Sequence, residues 1–319
     1  MNIHNFGLSV SVENGFRKLA QLEATLDHVA AQGFDMVELD MQPFILIING
    51  ELQQRHVSDL AAVLKNFKLR YSVHGVSRLN LAYDPRHELC LAIMRAQIEA
   101  CRQIGARALV YHSGLQALDR VRHGLRETLL SNAELSEGAQ REVVAFRSVA
   151  PLAADAGLII GIENGDSHQW EHQVIARFGL PRQELLRHHA RLQMQPIVQQ
   201  LEAINHPNIG MTFDLGHLHI AANDLGFDYL QNVEIAAPWV KHLHISDNCG
   251  TLDAGFNNPP DRWSFGEADL HMPPGWAKVP YRDVFARMSN YQGDLILEID
   301  TGFLDYTQEA LETIKMLTR

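Results

Sequence analysis

The chain has 319 residues, 46% of them hydrophobic and 20% charged, enough apolar matter for a large core and within the range of ordinary globular proteins. Its formal net charge of −11 disfavours a protein that grips nucleic acid, because phosphate neutralisation calls for a basic footprint. No apolar run has the length to cross a bilayer, so a protein with no membrane partner is expected.

The N-terminal residues Met1–Asn5 lack the charge and apolar run of a secretory leader, which gives the expectation of a cytoplasmic protein. Cys90, Cys101 and Cys249 are odd in number and form no C-x-x-C pair. They read as small buried hydrophobes rather than a disulfide framework or zinc knuckle.

Short β-branched runs alternate with longer segments of helical spacing eight times along the chain. In order, the strands are expected at Gly7–Val12, Met36–Asp40, Arg70–His74, Ala108–His112, Leu158–Glu163, Ile209–Asp214, Val240–Ser246 and Leu295–Ile299. Between them, Leu19–Ala31, Val57–Phe67, Glu88–Ile104, Gln140–Ala156, Pro196–Ile204 and Thr307–Leu317 have the spacing of amphipathic crossover helices. Gly33, Gly105 and Gly157 stand just before strands, where a helix ends in a left-handed residue. No Gly/Ser or Pro-rich linker divides the chain, so residues 1–319 are expected to form one α/β domain, an eight-stranded (β/α)8 TIM barrel. The longest irregular stretch, Asn248–Pro280, follows the seventh strand and should lie over the barrel mouth.

Six strands end on metal-loving side chains: His74 in YSVHG, His112 in LVYHSG, Glu163 in IIGIENG, Asp214 in MTFDLG, His244 in HLHISD and Glu298 in LILEID. In a parallel barrel these ends converge on one face, where catalytic groups gather. Glu163, Asp214, His244 and Glu298 would share one ion, since packed carboxylates without a cation would otherwise protonate. A mixed carboxylate and imidazole set without thiolate suits Mn, Mg, Co, Fe or Zn. His217, Asp269 and His271, with His74 and His112, supply further metal or substrate ligands. Glycines soon after the ligands (Gly75, Gly114, Gly165, Gly216) would let the chain turn sharply or a ligand approach. His242 shares the face of His244 one layer deeper and reads as a core histidine. Glu38 could reach the mouth as a substrate contact or simply pair with Lys or Arg, and Trp263 and Trp276 could stack on a sugar ring or pin the loop. The His168–His172 and Arg182–His189 clusters read as solvated surface.

The motifs IENG, FDLGH, HLHISDN, D-x-H-x-P-P-G and LILEID, in this order over nearly the whole chain, resemble the xylose-isomerase-like barrel superfamily of sugar isomerases and epimerases, which also holds endonuclease IV. The resemblance implies a divalent-metal-dependent isomerase or epimerase of a sugar or sugar derivative, working through a metal-stabilised ene-diolate. It carries the metal ligands onto Glu163, Asp214, His244 and Glu298, the acid/base pair onto Glu163 and Glu298, and a substrate contact onto His217. A carbohydrate partner and a homo-oligomer are further implications. The endonuclease IV branch, a zinc-dependent phosphodiesterase, matches at all nine of its ligands, whereas the Leu81–Glu88 and Ser246–Glu267 rims lack dense basic residues. A lyase acting on an oxidised sugar would use a similar site. The chain departs from the ketose 3-epimerases at Gln169 and Gly250, where they carry Glu and Arg.

Overall fold

A computed structural model describes residues 1–12, 17–112, 117–255 and 259–319, with the side chains of 259 and 260 left aside. Eight strands form a closed barrel: β1 Asn2–Val10, β2 Met36–Asp40, β3 Arg70–His74, β4 Ala108–Tyr111, β5 Ile159–Glu163, β6 Ile209–Asp214, β7 Val240–Ile245 and β8 Gln292–Leu297. Each pairs in parallel with the next, and β8 closes on β1 through Gly7↔Ile296 and Leu8↔Leu297. β2, β3 and β6 have the expected bounds. β1 begins and ends earlier than its apolar alternation suggests, because residues Asn2 and Ile3 already pair with Gln292 and Gly293.

The barrel strands are rich in Ile, Val and Leu because they are covered on both faces, by helices outside and by side chains inside. In the helix Lys18–Ala31, Leu22, Leu26 and Val29 recur at helical spacing and are fully buried. The helix expected to begin at Gln140 starts at Asn132, where Ser131 and Glu134 form a reciprocal capping box ahead of the apolar stripe. Gly33, Gly105 and Gly157 adopt positive φ at the helix ends, as their places before strands require.

Gly75 and Gly216 have no positive φ, so the reason given for them needs correction. A Cβ on Gly75 would lie 2.7 Å from the Val110 carbonyl, and one on Gly216 would lie 2.6 Å from Ser246 Oγ. They answer to close packing by the protein itself. Gly114 lies outside the described residues.

Helices not anticipated in the sequence include Gln169–Arg177, Leu215–Leu225, Tyr229–Ala236, Pro259–Phe265 and Tyr281–Arg287, and Ile47–Ile48 pairs with Glu51–Leu52 as a small hairpin. The stretch after β7 is more ordered than its Pro and Gly content suggests. Asp247, fully buried, accepts from the backbone amides of Gly275, Ala277 and Val279, and its backbone bridges to Met272. One carboxylate thus ties the return of this segment to the end of β7.

Candidate metal centre

The register sets the ligands. Asp214 on β6 pairs with His244 on β7, Glu163 on β5 pairs with Thr212 two residues below Asp214, and His244 pairs with Ile296 two residues before Glu298. The stagger of adjacent strands therefore raises four inward side chains towards one point. Their ligand atoms lie within 4.8 Å of one another, and all four residues are buried. His244 Nδ1 is 2.8 Å from Glu163 Oε1 and 3.5 Å from Glu298 Oε2.

Gly161, two residues before Glu163, is fixed by this packing. A Cβ there would meet Thr212 Oγ1 at 1.9 Å, so only glycine leaves β5 and β6 this close. Asn164 locks the next step: its Nδ2 donates to the Asp214 carbonyl and its Oδ1 accepts from the Asp214 amide, at 2.9 and 2.8 Å. Asp214 in turn caps the helix Leu215–Leu225, its Oδ1 accepting from His217 N at 2.6 Å. That cap explains the D-x-x-H spacing, because His217 falls on the first helical turn beside the carboxylate. Asp247, Asn164 and Asn248 went unsingled in the sequence; each follows a ligand strand and is buried.

Two further ligand groups flank the first. His74, His112 and Glu163 form one, and His217, Asp269 and His271 form another, each within 4.8 Å. His74 Nε2 is 3.8 Å from Glu163 Oε2, so Glu163 belongs to two groups at once. Asp269 Oδ2 is 3.3 Å from His217 Nε2 and in close contact with His271 Nε2. His217 Nδ1 lies 2.9 Å from the Asn164 carbonyl, which can only accept, so Nδ1 carries a proton and Nε2 is turned towards Asp269; burial opposes the charged ring, yet Asp214 and Asp269 hold it well above the usual imidazole range.

The electrostatics show what the cluster lacks. Burial first, then repulsion from Glu298, Asp269 and Glu163, raises the Asp214 carboxyl to about 7 despite the attraction of His217. Burial acts against the charged His244 ring, yet Glu298, Glu38 and Glu163 together hold it well above the usual imidazole range. Burial lowers His112 to about 4, leaving a neutral ring. For His271, burial is outweighed by Asp269 and the ring is raised to about 10. Glu163 Oε2, Asp214 Oδ2 and Asp269 Oδ1 are buried with no hydrogen-bond partner. Orphaned carboxylate oxygens converging beside imidazole nitrogens fit a hard or borderline divalent cation.

Glu38 requires correction as a substrate contact. It is fully buried beneath the site, because β2 places it opposite Ser72 and inside the barrel. Its Oε2 accepts from Ser72 Oγ at 2.9 Å and contacts His242 Nε2 at 2.8 Å, while its Oε1 lies 3.0 Å from His244 Nε2. The core assignment of His242 holds, and the barrel carries a polar layer of Glu38, Ser72, His242 and Thr212 under the ligands.

Trp263 and Trp276 pack around Phe303, with ring centroids 5.2 and 5.7 Å away, and Trp276 Nε1 donates to Glu309. Neither tryptophan lines the two cavities that reach Asp269, His271 and Glu298, and their packing on Phe303 favours the loop-pinning alternative. The two histidine clusters also differ from expectation. His188 and His189 are buried, His189 pairing with buried Glu171, and His172 contacts the buried Asp224 carboxylate, which Arg182 also approaches. Charge pairing between separate elements, invisible to local periodicity, sequesters them.

The chain matches the family model described as xylose isomerase-like TIM barrel over residues 26–319. An uncharacterised protein of Methanocaldococcus jannaschii is 24% identical over 238 residues, 73% of this chain and 68% of that one. Among solved structures, a D-tagatose 3-epimerase-like protein superposes with a TM-score of 0.68 at 18% identity, covering 98% of this chain and 96% of the other. A D-psicose 3-epimerase gives 0.66 at 15% identity over 98% and 99%. The 3-keto-D-glucoside 4-epimerase of E. coli gives 0.65 at 14% over 98% of each. At such identities the likeness to these structures is one of fold. No helix among the described residues is long and apolar enough to cross a membrane.

Proposed function

Since the chain belongs to the xylose isomerase-like TIM barrel family, we propose that it is a divalent-metal-dependent isomerase or epimerase acting on a sugar or sugar derivative. The observation that carries this reading is the convergence of Glu163, Asp214, His244 and Glu298 on one buried point at the strand ends. The sugar epimerases among its structural neighbours point the same way. A cation held by these four would supply Lewis-acid polarisation of a substrate carbonyl and its neighbouring hydroxyl.

The chain's own residues do the rest. Glu163 and Glu298 stand on β5 and just beyond β8, with β6 and β7 between them, so they reach the substrate position from different sides. One carboxylate takes the carbon-bound proton; the other returns a proton to the same carbon or its neighbour. Asn164 fixes the orientation of the His217 ring, whose Nε2, turned towards Asp269, orients a substrate hydroxyl. The polar layer through Glu38 braces His244 from below. The test is turnover of ketose and aldose sugars by protein loaded with Mn, Co, Mg or Zn, followed by product stereochemistry. Chelator-sensitive interconversion supports the reading, and none across a broad sugar panel counts against it.

A second reading is favoured by one specific observation. Three of the four groups of potential ligands together span nine residues, two of these groups sharing Glu163, as a phosphodiesterase with a metal cluster would need. It predicts two or three zinc ions per chain and chelator-sensitive incision of duplex DNA at an abasic site. The net charge of −11 weighs against that substrate.

A further inference from the structure

Beside the ligand group of Asp269 opens a cavity of about 980 Å³, walled by the loop after β5, the helix Gln169–Arg177 and the segment after β7. Arg122, Arg177 and Arg262 line it, and Arg262 is engaged by other contacts. The Arg122 guanidinium lies 4.4 Å from the centre of the Trp170 ring, so an aromatic face holds its plane. The carboxylates in the same wall have other partners. Asp166 lies 3.4 Å from His168, Asp253 accepts from the amides of Gln169 and Gly255, and Asp269 is held between His217 and His271.

A second cavity of about 460 Å³ reaches Glu298 and His271. Leu8, Val10, Val29 and Leu304 contribute to its wall, and its described lining contains no Lys or Arg. Asp269 faces one chamber and His271 the other. In the described linings of these two cavities, guanidinium groups stand in the first and not in the second.

Resting on the reading above, we propose that the substrate carries an anionic group, a phosphate or carboxylate, and that Arg122 and Arg177 receive it while the reacting carbons lie over the metal ligands. Guanidinium groups bind such planar or tetrahedral oxyanions through paired N–H donors. Trp170 presets Arg122 for this, so less side-chain freedom is lost on binding. The larger cavity exceeds the need of a bare monosaccharide and leaves room for the anionic extension.

The test is calorimetric binding of D-fructose 6-phosphate, D-glucuronate and D-fructose to metal-loaded protein, wild type and the double variant Arg122→Ala/Arg177→Ala. Both arginines are exposed, and an unchanged melting temperature confirms the variant's fold. The wild type should bind at least one anionic probe roughly tenfold or more tighter than D-fructose. The double variant should lose that preference while keeping its affinity for D-fructose. The anionic probe that wins identifies phosphate or carboxylate as the natural group. Equal binding of all three probes by wild type, no binding of either anion, a preference that survives in the variant, or an equal loss for all three would overturn the proposal. Because none of these readouts requires turnover, an arginine-dependent preference without sugar isomerisation would sink the proposed reaction and leave the anion site standing.

Discussion

Replacing Glu38 by Gln removes one negative charge from a fully buried polar contact in the barrel and leaves the volume almost unchanged. Glu38 is 0% exposed and serves three groups, Ser72 Oγ at 2.9 Å, His242 Nε2 at 2.8 Å and His244 Nε2 at 3.0 Å. With Nε2 of His244 facing Glu38, the opposite nitrogen Nδ1 faces Glu163 and Glu298, where a cation would sit. A carboxylate behind a ligating imidazole fixes its tautomer and raises its basicity, and loss of such a partner costs about 10- to 100-fold in metal affinity. Breaking the buried charge contact should also cost about 3–5 kcal/mol of stability. Competition against a fluorescent chelator measures the first quantity and denaturant unfolding of metal-free protein the second. Wild-type metal affinity in a stably folded Glu38→Gln protein would refute the claim that Glu38 braces the ligand.

Glu298→Gln should reduce sugar turnover by roughly 10²- to 10⁴-fold or more, the scale of acid/base catalysis, while circular dichroism shows an intact fold; retained turnover removes Glu298 from the proton-transfer pair. Gly161→Ala should destabilise by about 1–3 kcal/mol through overpacking against Thr212, and adding Thr212→Ala should recover part of it; an additive loss in the double variant would refute the steric reason. The Asp214 carboxyl stands at about 7 when folded against roughly 3.9 in an unfolded chain. Its protonated form therefore contributes to metal-free stability fully below the unfolded value, and that contribution is lost as pH rises through about 7. Because a metal requires the carboxylate, added Mn should raise the melting temperature more at pH 8 than at pH 6. A metal-induced rise independent of pH would contradict this assignment.

The barrel was legible because its evidence is local and repeated. Strands such as Met36–Asp40 and Ile209–Asp214 carry their own β-branched pattern, and Gly33, Gly105 and Gly157 mark the helix ends before three strands. The convergence of Glu163, Asp214, His244 and Glu298 was equally readable, since closure of a parallel barrel brings every strand end to one rim. What escaped depends on pairings across long sequence distances. Glu38 was placed at the mouth because strand alternation gives a face but not a depth; only the pairing with Ser72 and the contact with His242 set it beneath the ligands. His189 gave no local sign of burial, because its partner Glu171 lies in another element. The Pro-rich segment after β7 hid a framework built by one acidic side chain, Asp247, on three backbone amides.

Crystals grown with Mn and measured at its absorption edge address the central claim most directly. An anomalous peak at roughly 2.0–2.4 Å from oxygen or nitrogen atoms of Glu163, Asp214, His244 and Glu298, bond lengths usual for divalent cations, is the result expected. A fully ordered site in which these four side chains neutralise one another with no anomalous peak among them, at saturating Mn and pH 8, would contradict it.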